Sequence, residues 1–127
     1  PSLHEAVWQA ALLAVQQRGL SVVSASFEEG HITTAFAPLT SEALSQLALL
    51  PDRDQFERWS GGEYRYEVNL GNRLQGMRVN VSAEIRAWER VEHSLDRKSG
   101  QALQSNRSLE QAFLSAFTEA LRQGTTE

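Results

Sequence analysis

The sequence predicts an α+β fold: an antiparallel sheet of about four strands packed against one helix near the start of the chain and another near its end. Three observations carry that expectation. Residues 62–91 hold two runs in which apolar and polar side chains alternate, separated by the polar turn Gly71-Asn72-Arg73-Leu74-Gln75-Gly76, the pattern of a half-buried antiparallel hairpin. Leu109, Ala112, Phe113, Ala116, Phe117 and Ala120 recur at helical spacing on a single face. A third segment, from Leu3 to Arg18, is helical in pattern but apolar round much of its circumference. A chain of 127 residues with 41% hydrophobic and 22% charged residues has the composition of a globular protein, and one domain spanning residues 1–127 is expected.

The elements follow in chain order. Ser2 with Glu5 is a capping-box pattern that starts the first helix, and Gly19 is placed to end it after Arg18. Leu3, Val7, Ala10 and Ala14 form one apolar stripe on this helix, and Trp8, Leu12 and Val15 a second, about 100° or more round the cylinder. Glu5, Gln9 and Gln16 mark its polar face. Leu20–Phe27 and His31–Phe36 alternate either side of Glu28-Glu29-Gly30, which reads as a short hairpin. Pro38 is expected to end its second strand, because proline cannot donate to a ladder. Thr40 or Ser41 can cap a short helix from Glu42 to about Leu49, stopped by Pro51. Asp52–Ser60 is a charged connection carrying Phe56 and Trp59, and Gly61-Gly62 releases the chain into the long hairpin.

In that hairpin Tyr64, Tyr66, Val68 and Leu70 share one face, and Met77, Val79, Val81, Ala83, Ile85 and Ala87 do the same on the second strand. The opposite, wet face can pair Glu63, Glu67 and Glu84 with Arg65, Arg78 and Arg86. Residues 92–107 are polar without either period, with a turn at Lys98-Ser99-Gly100. Ser108 with Gln111 is a second capping-box pattern, opening the closing helix.

Composition narrows the functional classes. With 12 Lys and Arg against 16 Asp and Glu, a net charge of −4 and an isoelectric point near 5.4, a nucleic-acid partner is not expected, since phosphate binding needs a basic surface. The absence of cysteine excludes disulfides, thiolate metal sites and cysteine nucleophiles. His4, His31 and His93 have no second histidine at ligand spacing, so no metal and no cofactor are expected. There is no Gly-x-Ser-x-Gly elbow, no phosphate-binding glycine loop with lysine, and no charged residue on an apolar face, so no catalytic residue is assigned. No apolar stretch approaches the ~20 residues that span a bilayer. Because the sequence starts at Pro1 without methionine, it is expected to be a fragment or processed form with any targeting signal or anchor upstream.

The order helix, hairpin, connection, long hairpin and closing helix resembles the helix-grip arrangement. A closer likeness is carried by Ala6-Val7-Trp8 through Leu12 to Gly19-Leu20-Ser21-Val22, then Ser24-Ala25-Ser26 and Glu29-Gly30-His31-Ile32-Thr33-Thr34, with Arg65-Tyr66 opening the next strand. These stretches look like the outer-membrane lipoprotein domains of the BamC type, over about half the chain. The resemblance implies a non-catalytic periplasmic domain, anchored at the outer membrane only through an upstream segment. Its role would be assembly or scaffolding through another cell-envelope protein or through self-association. The Trp8, Leu12 and Val15 stripe is the expected protein interface, with Trp8 as its anchor. The alternative is a helix-grip binder of small apolar ligands with Phe56, Trp59, Tyr64 and Tyr66 near the cavity mouth. A ligand binder needs roughly 300 Å³ or more of space between sheet and closing helix, whereas a scaffold packs shut.

Overall fold

The computed structural model describes residues 3–49, 59–73, 76–89 and 101–124. In chain order the elements are α1 (Leu3–Gln17), β1 (Val22–Ser26), β2 (His31–Thr34), β3 (Ala37–Leu39), α2 (Ser41–Leu47), β4 (Ala48–Leu49), β5 (Trp59–Arg73), β6 (Gly76–Glu89), β7 (Gln101–Ser105) and α3 (Ser108–Gly124). This is the α+β arrangement of antiparallel sheet with an N-terminal and a C-terminal helix. Among the described residues, however, the sheet has seven strands rather than about four. Of the three extra strands, β3 and β4 are three and two residues long, too short to display a period, and β7 lies in the polar 92–107 segment, which lacks an apolar alternation. Pro38 does not end a strand but sits inside β3, opposite Glu63 of β5, which a short strand tolerates where no ladder N–H is required. The helix expected to reach Leu49 ends at Leu47, and Ala48-Leu49 pair instead with Ser105 and Gln104.

The chain forms two compact units. The first comprises Pro1–Ala35, Tyr66–Ser82 and Glu110–Glu127; the second comprises Phe36–Arg65 and Ala83–Leu109. The strands β5 and β6 therefore run through both, as does α3.

In the first unit β1 pairs with β2, and β2 with β5, all antiparallel. The alternation read from the sequence sets the burial: Tyr66, Val68, Leu70 and Val81 are buried, whereas Asn69, Asn80 and Ser82 are exposed. Phe113, Phe117 and Ala120 of α3 are buried as well, and the rings of Phe113 and Tyr66 lie 5.2 Å apart between centroids. The first helix ends in a Schellman motif. The Gly19 N–H donates to the Gln16 carbonyl (2.9 Å), the Leu20 N–H donates to the Val15 carbonyl (3.1 Å), and Gly19 takes φ +78°, a conformation that costs glycine nothing. Ser2, the expected cap at the other end, lies outside the described residues.

Thr34 is the one uncharged polar side chain among the buried residues described, and its hydroxyl has a specific task. It accepts from the Tyr66 N–H (2.9 Å) and donates to the Ala35 carbonyl (3.0 Å). Thr33 of β2 stands opposite Glu67 and Ala37 of β3 opposite Tyr64, so the chain from β2 into β3 has one residue more than β5 over the interval. The hydroxyl fills the ladder position that the resulting bulge vacates.

The second unit is organised round Leu44, Ala48, Trp59, Tyr64, Ile85, Ala87 and Leu109, all buried. Thr40 caps α2, its hydroxyl accepting from the Ala43 N–H at 3.1 Å. Entry to α3 is set by Asn106: its N–H donates to the Leu47 carbonyl, its Nδ2 to the Gln46 carbonyl, and its Oδ1 accepts from the Ser108 N–H. Arg107 follows at φ +77°, uncommon for a residue with a Cβ. On the wet face of β5 and β6, Glu84 accepts from Arg65 at 2.7 Å and from Arg86 at 3.2 Å, and both guanidinium carbons lie 4.7 Å from the Phe36 ring centroid. Each of these part-exposed contacts is worth about 0–1 kcal/mol, so the cluster fixes side-chain order more than it sets stability.

Because Phe113 is fully buried against Tyr66, Phe113→Ala is expected to cost about 3–5 kcal/mol, a large share of the roughly 5–15 kcal/mol that holds a domain together. Urea melts of the parent and the variant measure it, and coincident midpoints would contradict this packing.

Candidate docking groove

The first unit carries an apolar groove whose walls come from three places in the sequence. Along α1 it is lined by Glu5, Ala6, Trp8, Gln9, Ala10 and Leu13; the turn between β1 and β2 adds Phe27; the last turns of α3 add Ala120, Leu121 and Gln123. Its volume is about 620 Å³. Glu5 is the one ionisable group among these ten side chains.

Phe27 reaches the helix because the turn that carries it is tightly determined. The Gly30 N–H donates to the Ser26 carbonyl (2.8 Å), the Glu29 N–H donates to the Ser26 hydroxyl (3.2 Å), and the Leu70 N–H donates to the Gly30 carbonyl (2.7 Å). Gly30 takes φ +69°, and a Cβ there would run into the Leu70 carbonyl oxygen, so both backbone conformation and space demand glycine. Phe27 then settles over one turn of α1. Its ring meets His4 at 4.4 Å and Trp8 edge-on at 5.5 Å, and its carbonyl lies 3.2 Å from His4 Nε2. His4 and Trp8 are one helical turn apart and so face the same way.

Burial along α1 departs from a simple two-stripe picture. Val15 is fully buried, Trp8 is 8% exposed and Leu12 is half-buried. The Trp8, Leu12 and Val15 stripe is thus largely covered, and of the three only Trp8 lines the groove. The apolar side chains left open lie elsewhere: Leu3 is 55%, Leu13 38% and Phe27 42% exposed. Leu13 stands one turn beyond Gln9, on the face that Glu5, Gln9 and Gln16 mark as polar. A leucine on that line was the available sequence signal for the groove.

Three of the four aromatics expected at a cavity mouth are among the described residues. Trp59 and Tyr64 are buried in the second unit and Tyr66 in the first; the period of β5 turns Tyr64 and Tyr66 to its covered face, whereas Trp59, an odd number of residues before them, lies beyond a break in the alternation at Gly61-Gly62. None of the three lines the groove. Phe56 lies outside the described residues. No strand residue contributes to the walls either, so this groove is not the space between sheet and closing helix that a helix-grip ligand site would use.

The histidines do not converge. His4 is engaged with Phe27, while His31 places Nδ1 2.7 Å from the side-chain Oδ1 of Asn69 and Nε2 2.9 Å from the Thr33 hydroxyl. His93 lies outside the described residues. Among the described residues, no three His, Cys, Asp or Glu side chains gather as metal ligands, and no helix is long and apolar enough to cross a membrane. No protein-family model matches the chain, and no curated protein matches it.

Two substitutions separate core from groove. Trp8→Ala is expected to destabilise by about 3–5 kcal/mol, as for other buried aromatics. Leu13→Gln should change stability by less than about 1 kcal/mol, since more than a third of the residue already meets water. Thermal melts followed by circular dichroism test both; an equally large loss for Leu13→Gln would mean that the groove wall is sealed.

Proposed function

We propose that this chain is a non-catalytic protein-binding domain and that its docking surface is the groove on α1. The observation that carries this reading is where the open apolar side chains lie. Of the six large hydrophobic side chains exposed among the described residues, Leu3, Leu13, Val22, Val23 and Phe27 belong to the first unit, and two of them, Leu13 and Phe27, form groove walls. Gathered apolar exposure of this kind is the usual mark of an interaction site. A wall with a single carboxyl group, Glu5, gives little for acid–base chemistry to use and much for an apolar side chain to bury against. The partner in this reading is another protein of the cell envelope, in an assembly or scaffold role, with the domain held in the periplasm by an outer-membrane anchor. That setting rests on the resemblance of residues 6–34 and 65–66 to the BamC type alone.

One observation favours a second reading, a binder of small apolar ligands. The volume of about 620 Å³ falls within the roughly 300–1,000 Å³ typical of small-molecule sites. Nuclear magnetic resonance titration separates the two. A Leu- and Ala-rich helical peptide is expected to shift the amide signals of Ala6, Gln9, Leu13 and Gln123 at lower concentration than a medium-chain fatty alcohol does. The reverse order would favour the small-ligand reading, and no shift with either would remove the groove as a docking surface.

A further inference from the structure

We infer that the open edge of β1 pairs with the β1 edge of a second copy, antiparallel across a two-fold axis, independently of the groove on α1. Among the described residues β1 hydrogen-bonds to β2 on one side and to no strand on the other. Val22 stands opposite Thr34 and Ala25 opposite Ile32. Those two partners lie two residues apart on β2, so Val22 and Ala25 share one phase of the ladder. The Ser21 carbonyl accepts from the Ala35 N–H at 2.8 Å. By the alternation of an antiparallel ladder the next phase, that of Val22 and Ala25, turns its N–H and C=O groups to the open side.

The side chains of this phase are uncovered as well. Cross-strand partners share a face of the sheet, and on that face Thr34 and Ile32 are fully buried, whereas Val22 is 42% exposed and Ala25 is exposed. The cover over β2 thus stops short of β1. Val23, at the register shift between Val22 and Ser24, is 67% exposed. Neither valine lines the groove. Edges are ordinarily kept from pairing by charge, proline or shortness: β3 holds Pro38, and β4 is two residues long. β1 is Val-Val-Ser-Ala-Ser, with no charge and no proline. Its one irregularity is the bulge at Val23, beyond which Ser24, Ala25 and Ser26 pair in regular register.

An open row of N–H and C=O groups is complementary to another extended backbone, and charge selects which. Five uncharged residues offer a charged segment no counter-charge, while two copies of β1 meet along their length without like-charge repulsion. Glu28 and Glu29 follow the strand in the β1–β2 turn. Antiparallel pairing sets them at the uncharged Gly19-Leu20-Ser21 end of the other copy, whereas parallel pairing would gather all four carboxylates. A two-fold axis makes one edge serve both copies and closes the assembly at a dimer. A strand of five residues makes a small interface, so the dimer is weak.

Sedimentation equilibrium on the 127-residue chain is expected to show the mass rising from 14.2 kDa toward twice that value as the concentration passes from about 10 μM to about 1 mM. Amide exchange read by nuclear magnetic resonance should show Val22 and Ala25 gaining protection over the same range, with Ala6, Gln9 and Leu13 unchanged. Val23→Lys puts a charge on the edge and should weaken association roughly 10-fold or more, at unchanged melting temperature because the side chain is already exposed. Ala25→Pro removes an N–H that β2 does not use and should weaken it likewise. A single-chain mass throughout, or a dimer that Val23→Lys leaves intact, would overturn the inference. So would protection of Ala6, Gln9 and Leu13 in place of Val22 and Ala25, which would move self-association to the groove. Protection of Val22 and Ala25 by an added Val- and Thr-rich extended peptide, in a chain that stays monomeric, would overturn it in favour of a strand from another protein.

Discussion

The contact between Tyr66 and Phe113 is the one on which the first unit depends. The period of β5 turns every second side chain to one face, and that face must be covered or the strand loses its register. The closing helix supplies the cover, because its apolar positions recur on a single stripe. Where the two patterns meet, two aromatic rings stand 5.2 Å apart and both are fully buried. Thr34 secures the neighbouring backbone by giving the Tyr66 N–H an acceptor where the bulge removes one. An unsatisfied N–H at that position would cost about 1–3 kcal/mol, so this hydroxyl keeps the irregularity from weakening the core.

With the sheet covered in this way, α1 is free to serve two purposes. Val7, Ala10, Ala11, Ala14 and Val15 are buried. The side along Glu5, Gln9 and Leu13 remains open and becomes a wall. Phe27 completes it from the β1–β2 turn, held by Gly30 from one side and by His4 and Trp8 from the other. A polar turn of Glu28-Glu29-Gly30 would ordinarily be a solvated connection. Here it carries an aromatic onto the helix and leaves two carboxylates beside it.

What the sequence made legible follows from how long each pattern persists. The long hairpin and the closing helix repeat their periods over more than ten residues, and both stand where their spacing places them. Gly19 was readable as a helix stop because left-handed backbone at that position suits glycine alone among the residues nearby. The strands β3 and β4 left no trace, because a strand of two or three residues has no period to show and its pairing is decided by its partner, and β7 left none because its polar segment carries no apolar alternation. Pro38 pointed the wrong way for the same reason, its tolerance depending on the edge it occupies. The groove was hidden more deeply. The exposed residues of α1 are not the second apolar stripe of Trp8, Leu12 and Val15, since tertiary packing covers Val15 fully and Trp8 nearly so. Leu13, an apolar residue among glutamines, was the local inconsistency that marked the open face. Tyr64 and Tyr66 could be offered as pocket residues because a tyrosine in an alternating strand reads equally well as core or as lining until the cover is known; both are buried and neither lines the groove on α1.

The docking proposed on α1 requires that the groove stand open in the free protein. Solvent paramagnetic relaxation measures this directly, by recording how strongly a dissolved paramagnetic agent broadens individual side-chain proton signals of the unliganded chain. If the groove is open, the Leu13 methyls and the Phe27 ring protons broaden about as strongly as the exposed Leu3 methyls, while the Val15 methyls and the Phe113 ring stay sharp. Leu13 and Phe27 signals as protected as those of Val15 would show the groove closed, and would contradict the docking surface on α1.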